Sequence, residues 1–77
     1  MDVAELVFKL EEAKVPQRWY SINGNLCTDT YILNQVYDWW ECYYFDEKGN
    51  IKNYHRFSNE NDACTYFYNK LEDEMKY

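Results

Sequence analysis

The 77-residue chain predicts an α+β domain, a two-layer sandwich in which an antiparallel, three- to four-stranded meander sheet carries the N-terminal and C-terminal helices on one face. Three observations predict it. Apolar residues recur at helical spacing only near the two ends. The middle is a succession of short aromatic and β-branched runs. Two of those runs are separated by Asp46-Glu47-Lys48-Gly49-Asn50, a Gly-containing loop of hairpin length. The length fits one domain over residues 1–77. A chain this short buries only about 60% of the surface its unfolded form exposes, so it builds one modest core. Of the 47% apolar share, 9 residues are Tyr and 3 are Trp, so rings supply most of the packing.

Each element follows from local chemistry. Asp2 can cap a first helix with Glu5 three residues on, and Val3, Leu6, Val7 and Leu10 fall on one face. Pro16 bars its continuation. Arg18 to Ile22 reads as a short strand, followed by Asn23-Gly24, a turn pair because both residues tolerate positive φ. Leu26 to Asp29 reads as loop. Thr30 to Val36 and Trp39 to Phe45 read as the next strands, joined by a tight Tyr37-Asp38 link. Beyond the Asp46–Asn50 loop, Ile51 to Phe57 completes the sheet. Ser58 is then a good N-cap, and a second helix runs to about Met75 with the stripe Ala63, Cys64, Phe67, Tyr68, Leu71 and Met75.

With both helices on one face, the other meets water or a partner. Period-two alternation assigns its residues. Glu41 belongs outside the core because burying a lone carboxylate is costly. That choice sends Trp40, Cys42 and Tyr44 inward and leaves Trp39, Tyr43 and Phe45 outward. Phe57 leads into the capped helix, which places His55 and Ile51 inward and Lys52, Tyr54 and Arg56 outward. The expected contact surface is therefore Trp39, Glu41, Tyr43, Phe45, Tyr54 and Arg56, with Asp46 and Glu47 at the hairpin tip. Binding surfaces are enriched in Tyr, Trp and Arg. The competing surface lies on the second helix, at Glu60, Asp62, Tyr66 and Asn69.

Other chemistries are disfavoured. His55 is the only histidine, and alternation puts it on the face opposite Glu41 and Arg56, so a ribonuclease-like His, Glu and Arg set does not assemble. The expectation is a non-enzyme without cofactor. Asp46, Glu47 and Asn50 lack the ligand order of a calcium loop, and no metal is expected. Cys27, Cys42 and Cys64 are odd in number and far apart, and read as reduced thiols, the last two as small buried residues. The chain has 8 Lys+Arg against 14 Asp+Glu, a net charge of -6, which disfavours direct nucleic-acid or anionic-membrane binding and favours a basic partner. No apolar run approaches the about 20 residues of a membrane span. Met1-Asp2-Val3-Ala4-Glu5 lacks the basic start of a signal peptide, so a cytoplasmic location is expected.

The order Val15-Pro16, Tyr20-Ser21-Ile22-Asn23-Gly24, Asp29-Thr30-Tyr31-Ile32-Leu33, Trp40-Glu41-Cys42-Tyr43-Tyr44-Phe45-Asp46-Glu47-Lys48-Gly49 and Phe57-Ser58-Asn59-Glu60-Asn61-Asp62-Ala63-Cys64-Thr65-Tyr66-Phe67 resembles small immunity proteins encoded beside bacterial polymorphic toxins. The resemblance runs from Val15 to Leu71 and lies in packing and turn residues. It implies a cytoplasmic, non-catalytic inhibitor of one cognate toxin domain, acting at the active site or substrate groove. Joined to the -6 charge, it leads to a basic nuclease partner, with a ribonuclease favoured. The alternative is a small adaptor or regulatory module binding a basic peptide or protein through the same open face. The expected assembly is a monomer or weak homodimer, because an uncovered aromatic face can pair with its own copy.

Overall fold

In the computed structural model, residues 1–76 are described, as α1 (Val3–Glu12), a 3-10 turn (Gln17–Trp19), β1 (Tyr20–Ile22), β2 (Thr30–Val36), β3 (Trp39–Phe45), β4 (Ile51–Phe57) and α2 (Glu60–Met75). The strands form one sheet in the order β1-β2-β3-β4. The two-layer α+β sandwich expected from the residue pattern is the observed architecture. The limits of β2, β3 and β4 coincide with the aromatic and β-branched runs.

Capping sets where both helices begin. The Asp2 carboxylate accepts from the Glu5 amide at 2.8 Å and starts α1. In α2 the capping oxygen is that of Asn59, which accepts from the Asp62 amide at 2.8 Å, one residue later than the Ser58 cap expected. Val3 N–H donates to Glu60 Oε2 at 2.8 Å, and Lys9 Nζ lies 5.7 Å from the Tyr68 ring centroid. The helices therefore run side by side with their N-termini adjoining. Their buried residues, Leu6, Leu10, Ala63, Cys64, Phe67 and Leu71, join Val15, Leu33, Trp40 and Cys42 in one core. Cys42 and Cys64 are buried, and burial pushes their thiols up to about 12 and about 11, so they pack as small apolar groups.

Three features of the sheet depart from a simple meander. First, β1 pairs parallel to β2, with Tyr20 beside Tyr31 and Ile22 beside Leu33, so the sheet is mixed and not wholly antiparallel. The cause is the 23–29 segment. Asn23 continues the ladder, donating to Leu33 O at 2.8 Å and accepting from the Gln35 amide at 2.6 Å, and the chain then returns the full length of the strand. Asn23 does take positive φ, at 52°, but it turns the chain into a return loop and not into a hairpin.

Second, β4 is bulged. Cys42 faces His55 and Tyr44 faces Lys52, so Asn53 and Tyr54 together stand opposite Tyr43, with Asn53 in the left-handed region at φ 55°. The extra residue reverses alternation beyond it. Ile51 therefore shares the uncovered face with Phe45, and Lys52 shares the helix side with Tyr44, the reverse of the strict period-two assignment.

Third, Tyr37 occupies the first position of the two-residue Tyr37-Asp38 loop at φ 54° while 86% exposed. Two-residue hairpin loops require positive φ there, which suits Gly, Asn or Asp and strains a bulky side chain. Tyr37→Asn is expected to raise the unfolding free energy by about 0.5–1 kcal/mol, read as a higher urea midpoint at unchanged slope. A lower midpoint would instead mean that the edge contact of Tyr37 with Trp39, at 6.4 Å between centroids, stabilises the hairpin.

Candidate functional site

The face opposite the helices is not uniform. On its β1–β2 half, Ile32 is only 1% exposed and Thr30 is buried, although β2 alternation turns both away from the helical core. Ser21, the register neighbour of Ile32, donates Oγ to the Asn25 carbonyl at 2.9 Å, which ties the returning 23–29 loop to that face. On the β3–β4 half no helix or strand among the described residues lies over the sheet. Trp39, Glu41, Tyr43 and Phe45 are half-buried there, next to exposed Ile51, Tyr54 and Arg56.

Most of the residues expected at the site meet in this half. The rings of Tyr43 and Tyr54 stack at 6.1 Å between centroids with 21° between planes. Tyr54 hydroxyl donates to Glu41 Oε1 at 2.5 Å. The Arg56 guanidinium lies over the Trp39 ring at 4.6 Å from its centroid, a cation–π contact. Trp39 Nε1 is buried without a hydrogen-bond partner among the described residues. The Tyr54 hydroxyl titrates above its ordinary range, first because its proton is held by Glu41, and the Tyr43 hydroxyl does so chiefly through burial. Both rings therefore stay neutral donors at physiological pH.

Two expected contact residues have different roles. Asp46 is 9% exposed, and its Oδ1 accepts from the Lys48 amide at 3.0 Å and the Asn50 amide at 2.7 Å, while Oδ2 faces Lys52 Nζ at 3.6 Å. It builds the hairpin loop that presents Glu47, and Glu47 is the exposed acid of the tip. The Asn50 amide bond foremost holds the Asp46 carboxyl below its ordinary value of 3.8. A lowered folded value stabilises the fold above pH 3.8, and that contribution is lost as pH falls from there through the folded value. The stability of Asp46→Ala is accordingly expected to fall less on acidification from pH 5 to about pH 2 than that of the parent chain, in urea titrations at each pH. Equal slopes would show that Asp46 does not carry this dependence.

The competing surface on α2 is largely occupied by internal bonds. Glu60 accepts from Val3 N–H, Asn59 Nδ2 donates to Asp62 Oδ2 at 3.0 Å, and Tyr66 packs on His55 at 4.6 Å between centroids. His55 lies on the helix side of the sheet with its Nδ1 2.9 Å from Asn53 O and 3.1 Å from Tyr66 hydroxyl, across the sheet from Glu41 and Arg56.

Ile51 and Tyr37 belong to the exposed apolar surface, and the pattern reading missed both. A signal existed for Ile51, because Asn53 inside a strand run marks a residue able to take the left-handed conformation of a bulge. The charge is also distributed unevenly. The helical segments carry Asp2, Glu5, Glu11, Glu12, Glu60, Asp62, Glu72, Asp73 and Glu74 against Lys9, Lys14, Lys70 and Lys76, so -5 of the net -6 lies in that layer and -1 in the sheet and its loops. The rings therefore lie on a nearly neutral face, and the acids lie chiefly behind it.

Among the described residues no helix is long and apolar enough to cross a membrane, and no group of three or more His, Cys, Asp or Glu is placed to hold a metal ion. No protein-family profile, curated protein or solved structure matches the chain.

Proposed function

We propose that this protein is an immunity-type inhibitor that binds a cognate secreted toxin domain, a basic nuclease with a ribonuclease favoured, and occludes its active site or substrate groove. The observation that carries the reading is the uncovered β3–β4 face, where Trp39, Tyr43, Phe45, Ile51 and Tyr54 lie outside a core already closed by Trp40, Leu33 and Phe67. Clusters of Trp, Tyr and Arg in contact with one another supply most of the affinity in protein interfaces, because rigid rings lose little entropy on docking.

Charge supports a basic partner in a specific way. The Cα atoms span 29 × 28 × 19 Å, whereas the Debye length at physiological salt is about 8 Å. At physiological salt the acids of the helical layer are therefore largely screened from a partner at the sheet face, and their steering of a basic domain is a low-salt effect. In the contact itself the charges are Glu41 and Arg56 on the strands, with Glu47 and Lys48 at the hairpin tip and Asp38 at the neighbouring tip. At low salt the -6 charge raises the association rate, and at any salt the rings slow dissociation.

The test is to identify the toxin domain that this reading expects to be encoded beside the chain and to co-express the two. Growth is expected to be restored, the two proteins to co-purify, and the association rate to fall steeply with salt while the dissociation rate changes little. Continued growth arrest with no co-purification would overturn the reading.

A further inference from the structure

Glu41 and Arg56 stand directly opposite each other across β3 and β4 on the uncovered face. Opposite charges in that position ordinarily pair and stabilise the sheet. Here they do not. Glu41 is bonded to Tyr54 hydroxyl, Arg56 lies over Trp39, and neither enters an ion pair among the described residues. Between its loop tips the face thus presents one acid, Glu41, and one base, Arg56, each turned away from the other and set among rings.

Such a face is complementary to itself. In a two-fold contact, residue i of one copy meets residue j of the other and the reverse holds across the axis. One acid and one base offset on a ring-rich surface satisfy that condition, and a surface of a single sign does not. The rest of the charge agrees. Helix-to-helix association would oppose -5 to -5, whereas sheet-to-sheet association turns both acidic layers outward, separated by more than the about 8 Å over which exposed charges act.

Size limits the strength of such a contact. A molecule 29 × 28 Å across its wider directions has a face on the order of the about 800 Å² per partner of a standard interface. The 23–29 loop occupies the β1–β2 half, so the contact falls in the small, weak class.

We propose that a second copy of this chain docks on the β3–β4 face as a two-fold dimer, with Glu41 of each copy against Arg56 of the other, in equilibrium with monomer. The inference needs only the face and holds apart from the toxin reading. Together with that reading it means that the rings are covered until the toxin displaces the second copy.

Sedimentation of the purified chain alone, from about 1 μM to about 1 mM, tests it. The mass is expected to rise from monomer to dimer within that range. Glu41→Arg and Arg56→Glu are each expected to move the midpoint to at least about tenfold higher concentration, because like charges then face each other, and an equimolar mixture of the two variants is expected to recover the parent midpoint. Ile51→Arg, at a residue 55% exposed and outside the core, is expected to abolish the dimer and serves as the probe where either charge variant fails to fold. A monomer at every concentration would overturn the proposal. So would a dimer that survives Ile51→Arg, or a mixture of the charge variants that stays monomeric. Because no toxin is present, none of these results bears on whether the chain neutralises one.

Discussion

Phe67→Ala is expected to lower the unfolding free energy by about 3–5 kcal/mol, the usual effect of truncating a buried Phe. Phe67 lies at the centre of α2, 2% exposed, one turn beyond Ala63 and Cys64 and one turn before Leu71. Its ring borders the same space as Tyr31, Cys42, Tyr44 and Tyr66, so it seats α2 on β2 and β3. A domain of this length has a total stability of about 4–11 kcal/mol. Removing the ring therefore takes away a large part of it, and the melting temperature is expected to fall by at least about 12 °C. Phe67→Leu refills much of the space and should lose clearly less. Urea and thermal unfolding measure both. A loss below about 1 kcal/mol for the alanine variant would mean that α2 does not depend on this contact.

The second large effect concerns the partner surface. Tyr54→Ala and Tyr43→Ala are each expected to weaken binding of the toxin domain about 30-fold or more, while changing stability by no more than about 1 kcal/mol. The difference arises because the stacked pair lies outside the core: truncation removes surface that only a docked partner would bury. The effects should not add, since each ring supports the other at 6.1 Å and Tyr54 also holds Glu41. Titration calorimetry of both single variants and the double variant measures the coupling, and growth in co-expression gives an independent readout. Glu47→Lys should chiefly slow association. If Tyr43→Ala and Glu47→Lys both leave affinity and inhibition unchanged, the β3–β4 face is not the contact surface. The inhibitor reading would then move to the helical layer and its acids.

Local rules went far in this chain because its strands and helices are announced by local chemistry. Asp2 with Glu5 and the Val3, Leu6, Val7, Leu10 spacing define α1 without reference to the rest of the fold. The Gly49 loop, with φ 81° at that residue, defines the β3–β4 hairpin in the same way. The inward Trp40 and Cys42 followed from the cost of burying a lone Glu41, and the inward Phe57 from its place at the entry to the capped helix. The cluster Trp39, Glu41, Tyr43, Phe45, Tyr54 and Arg56 was legible from the same two arguments, the first for β3 and the second for β4. Asp46 was not, because an acid in a loop reads alike whether it faces solvent or accepts the amides of its own turn.

Local pattern sets the limits of β2, β3 and β4, the positions of both helices and the division of the β3 rings into two faces, whereas the strand expected over Arg18 to Ile22 begins only at Tyr20, after a 3-10 turn. Those properties depend on periodicity and capping, which act within a few residues. Only the tertiary structure decided that β1 runs parallel to β2, that Ile32 is covered on the far face, that Ile51 joins the exposed rings while Lys52 leaves them, and that the negative charge collects behind that surface. Each of these depends on where a distant segment lies: the return path of residues 23–29, the register of β4 against Tyr43, and the packing of both helices on one side. A bulge or a crossover alters few local preferences but changes which face every later side chain occupies, and so it is set by pairing between strands and not by composition within one.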